Sequence, residues 1–234
     1  MTWIWSNLDL IWDRTVDQLI LSVPPIILSF LFSVPLGWVA YRYKLSRGVI
    51  LIACGLLYAI PSFPLLIALP VIVGTDLRSP LNLIIALTLY GIALMVRVVT
   101  DGLAAVDPDV KQSATAIGFS GWSQFWKVEF PLSGPVLIAG LRVVTVSTVS
   151  LATIGAVIGV QSLGSLFTDG FQRGIQAEVI AGIGATVIVA LVLDGILVLI
   201  GRVLMPWSRK SATTNKVRLA SEPAPSPSAA AVSR

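Results

Sequence analysis

The chain of 234 residues lacks histidine and contains one cysteine, Cys54. Without histidine, histidine-based acid–base catalysis and most zinc sites are excluded, and we expect no metal site. A single cysteine cannot form a disulfide framework within the chain. The phosphate-binding pattern G-x-x-x-x-G-K-S/T is also missing. Any ATP hydrolysis therefore has to come from another polypeptide.

Charge is scarce as well. Charged residues make up only 12% of the chain and hydrophobic residues 56%, whereas an average globular domain has about 25% charged residues. Uncharged stretches of 24, 28, 18 and 26 residues lie between Asp17 and Arg42, Arg47 and Asp76, Arg78 and Arg97, and Arg142 and Asp169. About 20 apolar residues cross a bilayer, and these stretches are continuous rather than alternating. The sequence therefore predicts an all-α, polytopic membrane protein.

We expect five membrane spans, at about 18–41, 48–74, 80–100, 134–160 and 178–204. The second span contains Pro61, Pro64 and Pro70, and should be kinked or interrupted because each proline removes a backbone hydrogen bond. Residues 1–17 mix tryptophan with aspartate, which predicts an amphipathic helix at the membrane interface. Residues 161–177 predict a loop or partial re-entrant segment. The tail, 208–234, is rich in Ala, Pro and Ser and predicts disorder.

A polar module, residues 101–131, interrupts the apolar pattern. Asp107 suits a helix N-cap and Pro108 the first helical position. Gly118 should end that helix, Ser120 should cap a second one, and Pro131 should stop it. Connections of this length are uncommon in compact proteins unless they are functional. We therefore expect two short surface helices that dock a soluble partner.

The basic residues predict the orientation. Eleven lysines and arginines fall on the side of the polar module and the tail, and three fall on the other: Arg14, Arg78 and Arg173. The positive-inside rule then puts the polar module and the C-terminus in the cytoplasm and the N-terminus outside. The net charge of +4 is accounted for by topology in this way, and we expect no nucleic-acid partner.

The polar module carries a spacing that resembles the EAA motif of ABC importer permeases. In that motif Glu-Ala-Ala is followed after three residues by Gly, and after nine more by an aliphatic residue, any residue, Leu and Pro. The same spacing runs from Gln112 to Pro131, with identities at Ala114, Gly118 and Pro131. The flanking phrases AIPSFPL, ALTLYGIALMVR, GLAAVDPDVK and PVLIAGLR extend the resemblance over about 15–205, and they resemble permeases for osmoprotectants such as glycine betaine, carnitine or choline.

The resemblance implies a permease domain over 18–207 that binds no cofactor itself. ATP and Mg²⁺ would lie on a separate, dimeric ATPase in the cytoplasm. A second permease copy or a paralogue would complete the pathway, and an extracytoplasmic solute-binding protein would deliver the solute. Coupling to the ATPase would fall on the residues matched to the motif and its helix start: Asp107, Pro108, Gln112, Ser113, Ala114, Gly118 and Pro131. Gln112 departs from the motif's Glu and cannot form an ion pair.

Two sets of polar residues lie within the spans. Arg142 and Asp194 lie ~13 Å and ~15 Å along their helices from the predicted cytoplasmic ends, so they could pair across the bundle or be solvated separately. The second set is a run of hydroxyl residues in the fourth span, for which pathway lining and close packing are both open readings. We predict that it lines part of the pathway; its members are Thr145, Ser147, Thr148, Ser150 and Thr153.

The sequence leaves three functional classes to compare. The favoured one is an ATP-driven importer permease for an osmoprotectant or, alternatively, for another small solute such as an amino acid. A secondary transporter driven by an ion gradient would usually be longer and repeated, and it would leave the polar module unexplained. An intramembrane enzyme would need converging polar groups, whereas the spans offer only Asp194 and isolated hydroxyls. The sequence therefore predicts a transport subunit of the cell membrane and not an enzyme.

Overall fold

The computed structural model describes residues 2–207, and their regular structure is helical. The helices in chain order are α1 (Thr2–Ser6), α2 (Leu8–Arg42), α3 (Lys44–Ala59), α4 (Ser62–Val73), α5 (Pro80–Ala104), α6 (Pro108–Ala116), α7 (Gly121–Gln124), α8 (Phe130–Ala152), α9 (Gly164–Arg173) and α10 (Gln176–Leu204). A π turn, Phe125–Glu129, precedes α8, and a 3₁₀ helix, Thr153–Ile158, follows it.

Four stretches within 2–207 are long and apolar enough to cross a membrane: Leu8–Arg42, Pro80–Ala104, Gly121–Ile158 and Gln176–Leu204. α3 and α4 are long and apolar enough to cross a membrane only when taken together, and the chain bends by 107° between them. The predicted all-α membrane fold is confirmed. The predicted second span is interrupted, and the number of spans is four or, with this bent pair, five.

α5 is the central helix and contacts α2, α3, α4 and α8. Small residues let its neighbours approach closely, as is common between membrane helices. A Cβ added at Gly91 would lie 2.5 Å from the side chain of Ser29 on α2, and one added at Gly140 on α8 would lie 2.3 Å from Val98. The core therefore lies along both faces of α5.

The interrupted span is stabilised by two side chains of α5. Ile60 and Pro61 have extended backbone between α3 and α4, so the carbonyl of Ile60 has no donor within either helix. The hydroxyl of Tyr90 donates to that carbonyl. Pro70 leaves the carbonyl of Leu66 in the same position, and Asn82 Nδ2 donates to it at 3.0 Å. Each freed carbonyl thus has a donor from the neighbouring helix.

One predicted boundary differs from the structure. Residues 1–17 do not form a separate element, because α2 begins at Leu8 and continues without a break past Gln18. Gln18 is fully buried; its Nε2 donates to the carbonyl of Val149 at 2.9 Å and its Oε1 accepts from the N–H of Leu163 at 3.3 Å. Residues 161–177, for which a loop or a partial re-entrant segment is predicted, contain α9, whose first residues are buried. The predicted disordered tail, 208–234, lies outside the described residues.

Arg142 on α8 and Asp194 on α10 lie together. Arg142 Nε donates to Asp194 Oδ1 at 2.6 Å and Arg142 Nη2 donates to Asp194 Oδ2 at 2.7 Å. Two parallel hydrogen bonds of this kind fix the relative orientation of the two groups as well as their distance. The pair therefore ties α10 to α8 near the middle of both helices.

We expect Tyr90→Phe to lower the stability of the chain by about 1 kcal/mol, because the carbonyl of Ile60 would lose its donor where water is scarce. Thermal unfolding of the purified chain in detergent measures this. Tyr58→Phe is the matched control, since the ring of Tyr58 packs edge-on against that of Tyr90 with centroids 6.0 Å apart and Tyr58 is half exposed. Equal losses in both variants would contradict the role given to the Tyr90 hydroxyl.

Exchanging the charges of the ion pair gives a second test. Arg142→Asp and Asp194→Arg should each lower the melting temperature, because each single variant puts two like charges side by side. The double variant should recover most of the loss. A double variant whose melting temperature is no higher than that of either single variant would rule out a stabilising pair.

Candidate functional site

The polar module begins with a well-capped helix, α6. The side chain of Asp107 accepts from the N–H of Asp109 at 2.8 Å, and Pro108 occupies the first turn. An acidic cap and a proline at this position both favour helix initiation. The predicted start of α6 at Pro108 therefore agrees with the structure.

α6 ends at a glycine in the left-handed region. Gly118 has φ +90°, its N–H donates to the carbonyl of Thr115, and the N–H of Phe119 donates to that of Ala114. These two bonds form a Schellman motif, which reverses the chain and satisfies the last carbonyls. Glycine is required here by the backbone and not by crowding, because a Cβ at 118 would meet no atom within 4 Å.

The second half of the polar module differs from prediction. Ser120 caps α7 by accepting from the N–H of Ser123 at 3.4 Å, but Pro131 does not stop the helix. The chain continues from Gly121 through the π turn and along α8. In that turn the N–H of Phe130 donates to the carbonyl of Phe125, five residues earlier. The wider turn accommodates the proline, so the second half of the polar module is continuous with the α8 span.

Aromatic rings attach the polar module to α2. Phe125 is buried, and its ring packs against that of Trp38 with centroids 5.8 Å apart. Trp122 meets Trp38 edge-on at 5.7 Å. On the other side of the module, Lys111 Nζ donates to the carbonyl of Leu103 at 2.9 Å and lies 5.0 Å from the ring centroid of Tyr41.

A polar chain joins the two halves of the module. The single proton of Thr115 Oγ1 is shared between the carbonyl of Lys111 at 3.0 Å and Gln124 Oε1 at 3.3 Å, and Gln124 Nε2 donates to Glu129 Oε1 at 3.0 Å. Glu129 is only 7% exposed. The prediction from sequence did not include these residues or the contact of Trp38 with Phe125, because no local pattern indicates contacts between separate helices.

The motif residues divide between two environments. Gln112, Ser113 and Gly118 are exposed, and neighbouring Ile117 is 75% exposed. Ala114 is buried within the chain. Of the small motif residues at 113, 114 and 118, only those at 113 and 118 lie on the open face. That face has an exposed apolar tip beside a polar row.

The five hydroxyl residues, four on α8 and Thr153 at the start of the 3₁₀ helix, differ in burial. Thr145 and Thr148 are buried inside the chain, and Thr145 Oγ1 donates to the carbonyl of Leu141 at 2.9 Å. Ser150 is exposed, and Ser147 and Thr153 are partly exposed. Pathway lining therefore remains a prediction for residues 147, 150 and 153. The burial of 145 and 148 agrees with the alternative, close packing between helices.

Comparisons with known proteins agree with this architecture. Residues 29–210 match the family described as binding-protein-dependent transport system inner membrane component. The glycine betaine/carnitine/choline transport system permease protein OpuCB of Bacillus subtilis is 27% identical over 88% of this chain and 94% of its own length. The osmoprotectant import permease protein OsmW of Salmonella typhimurium is 32% identical over 76% of this chain and 84% of its own.

The fold is also that of a solved structure. An inward-facing structure of the MetNI methionine ABC transporter superposes with a TM-score of 0.74 at 20% identity, covering 85% of this chain and 98% of that one. At this identity the likeness concerns the fold alone. With the match over 29–210, this multi-pass membrane chain belongs to the family of binding-protein-dependent transport system inner membrane components, the permease subunits of ABC importers.

Proposed function

We propose that this permease moves an osmoprotectant of the glycine betaine, carnitine or choline class into the cytoplasm. This proposal is supported by two relatives that are named as osmoprotectant permeases and that align over most of their own length. The partners follow from the same kinship: an ATPase dimer that holds ATP and Mg²⁺, a second permease copy or paralogue, and an extracytoplasmic solute-binding protein. The chain itself takes no cofactor and catalyses no reaction.

The polar module is the proposed docking element for the ATPase. The observation that carries this is the exposed face of α6, where Gln112, Ser113 and the tip at Ile117 stand free of the rest of the chain. A capped helix with an apolar tip suits insertion into a groove. Gln112, in place of a carboxylate, would offer neutral hydrogen bonds to the partner, and these are weaker than charge-assisted ones.

Motion of the module would pass into the membrane through a continuous helix. α7, the π turn and α8 run without interruption from Gly121 to Ile158. Arg142 and Asp194 tie α10 to α8, so both helices would follow a displacement of the module. Closure of the ATPase dimer on ATP would then switch the bundle from inward- to outward-facing, and release of ADP and phosphate would reset it.

The proposed pathway lies between two permease copies. α3 has no buried residue, although it is apolar, and Ser150 on α8 is exposed. Apolar faces of this kind lie against lipid or another membrane chain. Ser147, Ser150 and Thr153 would offer hydroxyl dipoles to a zwitterion or quaternary amine without adding a fixed charge.

Reconstitution with the ATPase and binding protein tests the function. We expect uptake of glycine betaine, choline or carnitine that requires ATP and persists when ion gradients are collapsed by ionophores. Uptake abolished by the ionophore, with no need for ATP, would establish a secondary transporter instead. Uptake of an amino acid alone would overturn the substrate class.

The same vesicles report the orientation. In a Cys54→Ser background, Ser113→Cys should react with a membrane-impermeant thiol reagent only on the side where ATP is required. Gln172→Cys, at the exposed C-terminal end of α9, should react only from the opposite side. Labelling of both positions from one side would contradict the proposed topology.

Gly118→Leu should abolish uptake and the stimulation of ATPase activity while the chain still inserts. The leucine would occupy the docking face and force a β-carbon into the left-handed region at a cost of about 1–2 kcal/mol. Gly174→Leu is the matched control, because Gly174 has φ +68° and equally open space around its Cβ position. It carries the same strain away from the module. Loss of uptake in both variants would show that strain, and not docking, is responsible.

A further inference from the structure

A polar cavity of about 250 Å³ lies between the end of α2 and the polar module. Two cations and one carboxylate line it: Arg42, Lys111 and Glu129. Lys111 Nζ donates one hydrogen bond to the carbonyl of Leu103, so two of its three N–H donors remain for another acceptor. Glu129 is bonded to Gln124. The cavity therefore has an excess of one positive charge and several unused donors.

Arg42 is the least constrained of these groups. It lies in the last turn of α2 and is exposed. Within 2–207, the ion pairs of the structure involve other residues, and Arg42 has no carboxylate within ion-pair distance. Its guanidinium lies 3.9 Å from the position that a Cβ of Gly121 would take. The missing side chain at 121 thus keeps the cavity open beside a free guanidinium.

An apolar groove of about 500 Å³ adjoins the cavity. Trp38 lines both, and the groove is otherwise formed by apolar side chains of α2 and the polar module: Phe30, Leu31, Val34, Pro35, Val39, Trp122, Phe125, Trp126 and Phe130. Its aromatic residues are of the kind that lie at the headgroup level of a bilayer. A cationic cavity that shares the wall residue Trp38 with an apolar groove matches the chemistry of a lipid, in which an anionic headgroup is joined to an acyl chain.

We propose that this double cavity binds one anionic phospholipid of the phosphatidylglycerol type. Its phosphodiester would accept hydrogen bonds from Arg42 and Lys111, and an acyl chain would lie along the groove against Trp126. Basic pockets between membrane helices on the cytoplasmic side commonly take anionic headgroups. A single negative charge matches the excess charge of the cavity. The hydroxyls of a glycerol headgroup would find acceptors at Glu129, which disfavours a second anionic group there.

The position of this site gives it a consequence for coupling. The lipid would contact α2 on one wall and α7 with the π turn on the other, which are the parts joined by the packing of Trp38 on Phe125. A bound lipid would therefore add a link between the membrane and the polar module. The inference needs only that the chain lies in a membrane, and it does not depend on the solute carried.

Lipid binding to the purified, delipidated full chain tests the proposal by native mass spectrometry, with no ATPase present. The probes are phosphatidylglycerol, phosphatidylethanolamine, phosphatidylcholine and inorganic phosphate. We expect one tight phosphatidylglycerol site. Arg42→Gln should weaken it about ten-fold, the size of one charge-assisted hydrogen bond. Lys44→Gln is the matched control, since Lys44 is exposed on the same connection and does not line the cavity.

Two further variants test the cavity and the groove separately. Gly121→Leu should fill the headgroup cavity and weaken binding about as much as Arg42→Gln. Trp126→Ala should weaken the binding of phosphatidylglycerol. Trp12→Ala, which removes another exposed tryptophan, should leave that binding unchanged. Equal losses in Arg42→Gln and Lys44→Gln would reduce the binding to general surface attraction and overturn the site. The site would also be overturned if phosphatidylethanolamine bound as tightly as phosphatidylglycerol, or if inorganic phosphate competed as effectively as the lipid.

Discussion

A backbone inside a membrane has to satisfy its own polar groups, and the rest of this structure depends on that constraint. The span formed by α3 and α4 leaves two carbonyls without a helical donor: that of Ile60 at the extended break between the helices, and that of Leu66, four residues before Pro70. Tyr90 and Asn82, both on α5, supply the missing donors. The bend of 107° is thus tied to the central helix, and α5 has to lie where its hydroxyl and amide reach those carbonyls.

The same rule explains which parts of the fold could be predicted from sequence. Long uncharged stretches follow directly from the cost of charge in lipid, so α2, α5, α8 and α10 were predictable as spans. The interruption was predictable from its prolines. The donors to the freed carbonyls were not, because Tyr90 and Asn82 are distant in sequence from Ile60 and Leu66, and nothing local marks them.

The polar module shows the same division. Asp107, Pro108 and Gly118 act through their own backbone, and their roles as cap, first-turn residue and left-handed terminator were readable from residue type. Pro131 was misread because a proline normally ends a helix, whereas here a π turn precedes it and absorbs it. Propensity gives the local preference, and the packing of Phe125 against Trp38 decides the outcome by holding the π turn against α2.

The continuity of α7, the π turn and α8 could not be predicted from the sequence. It would allow a displacement of the module to reach the membrane helices. If Pro131 ended a helix, a flexible joint would separate the polar module from α8, and displacement of the module would be lost in that joint. Because the helix continues from Gly121 to Ile158, a displacement of α7 would be passed to the span. Arg142 extends this unit to α10 through its two hydrogen bonds to Asp194. A rigid pair of helices can convert a small shift at the module into a change at the far side of the bundle, because packed elements rearrange between discrete states rather than deform.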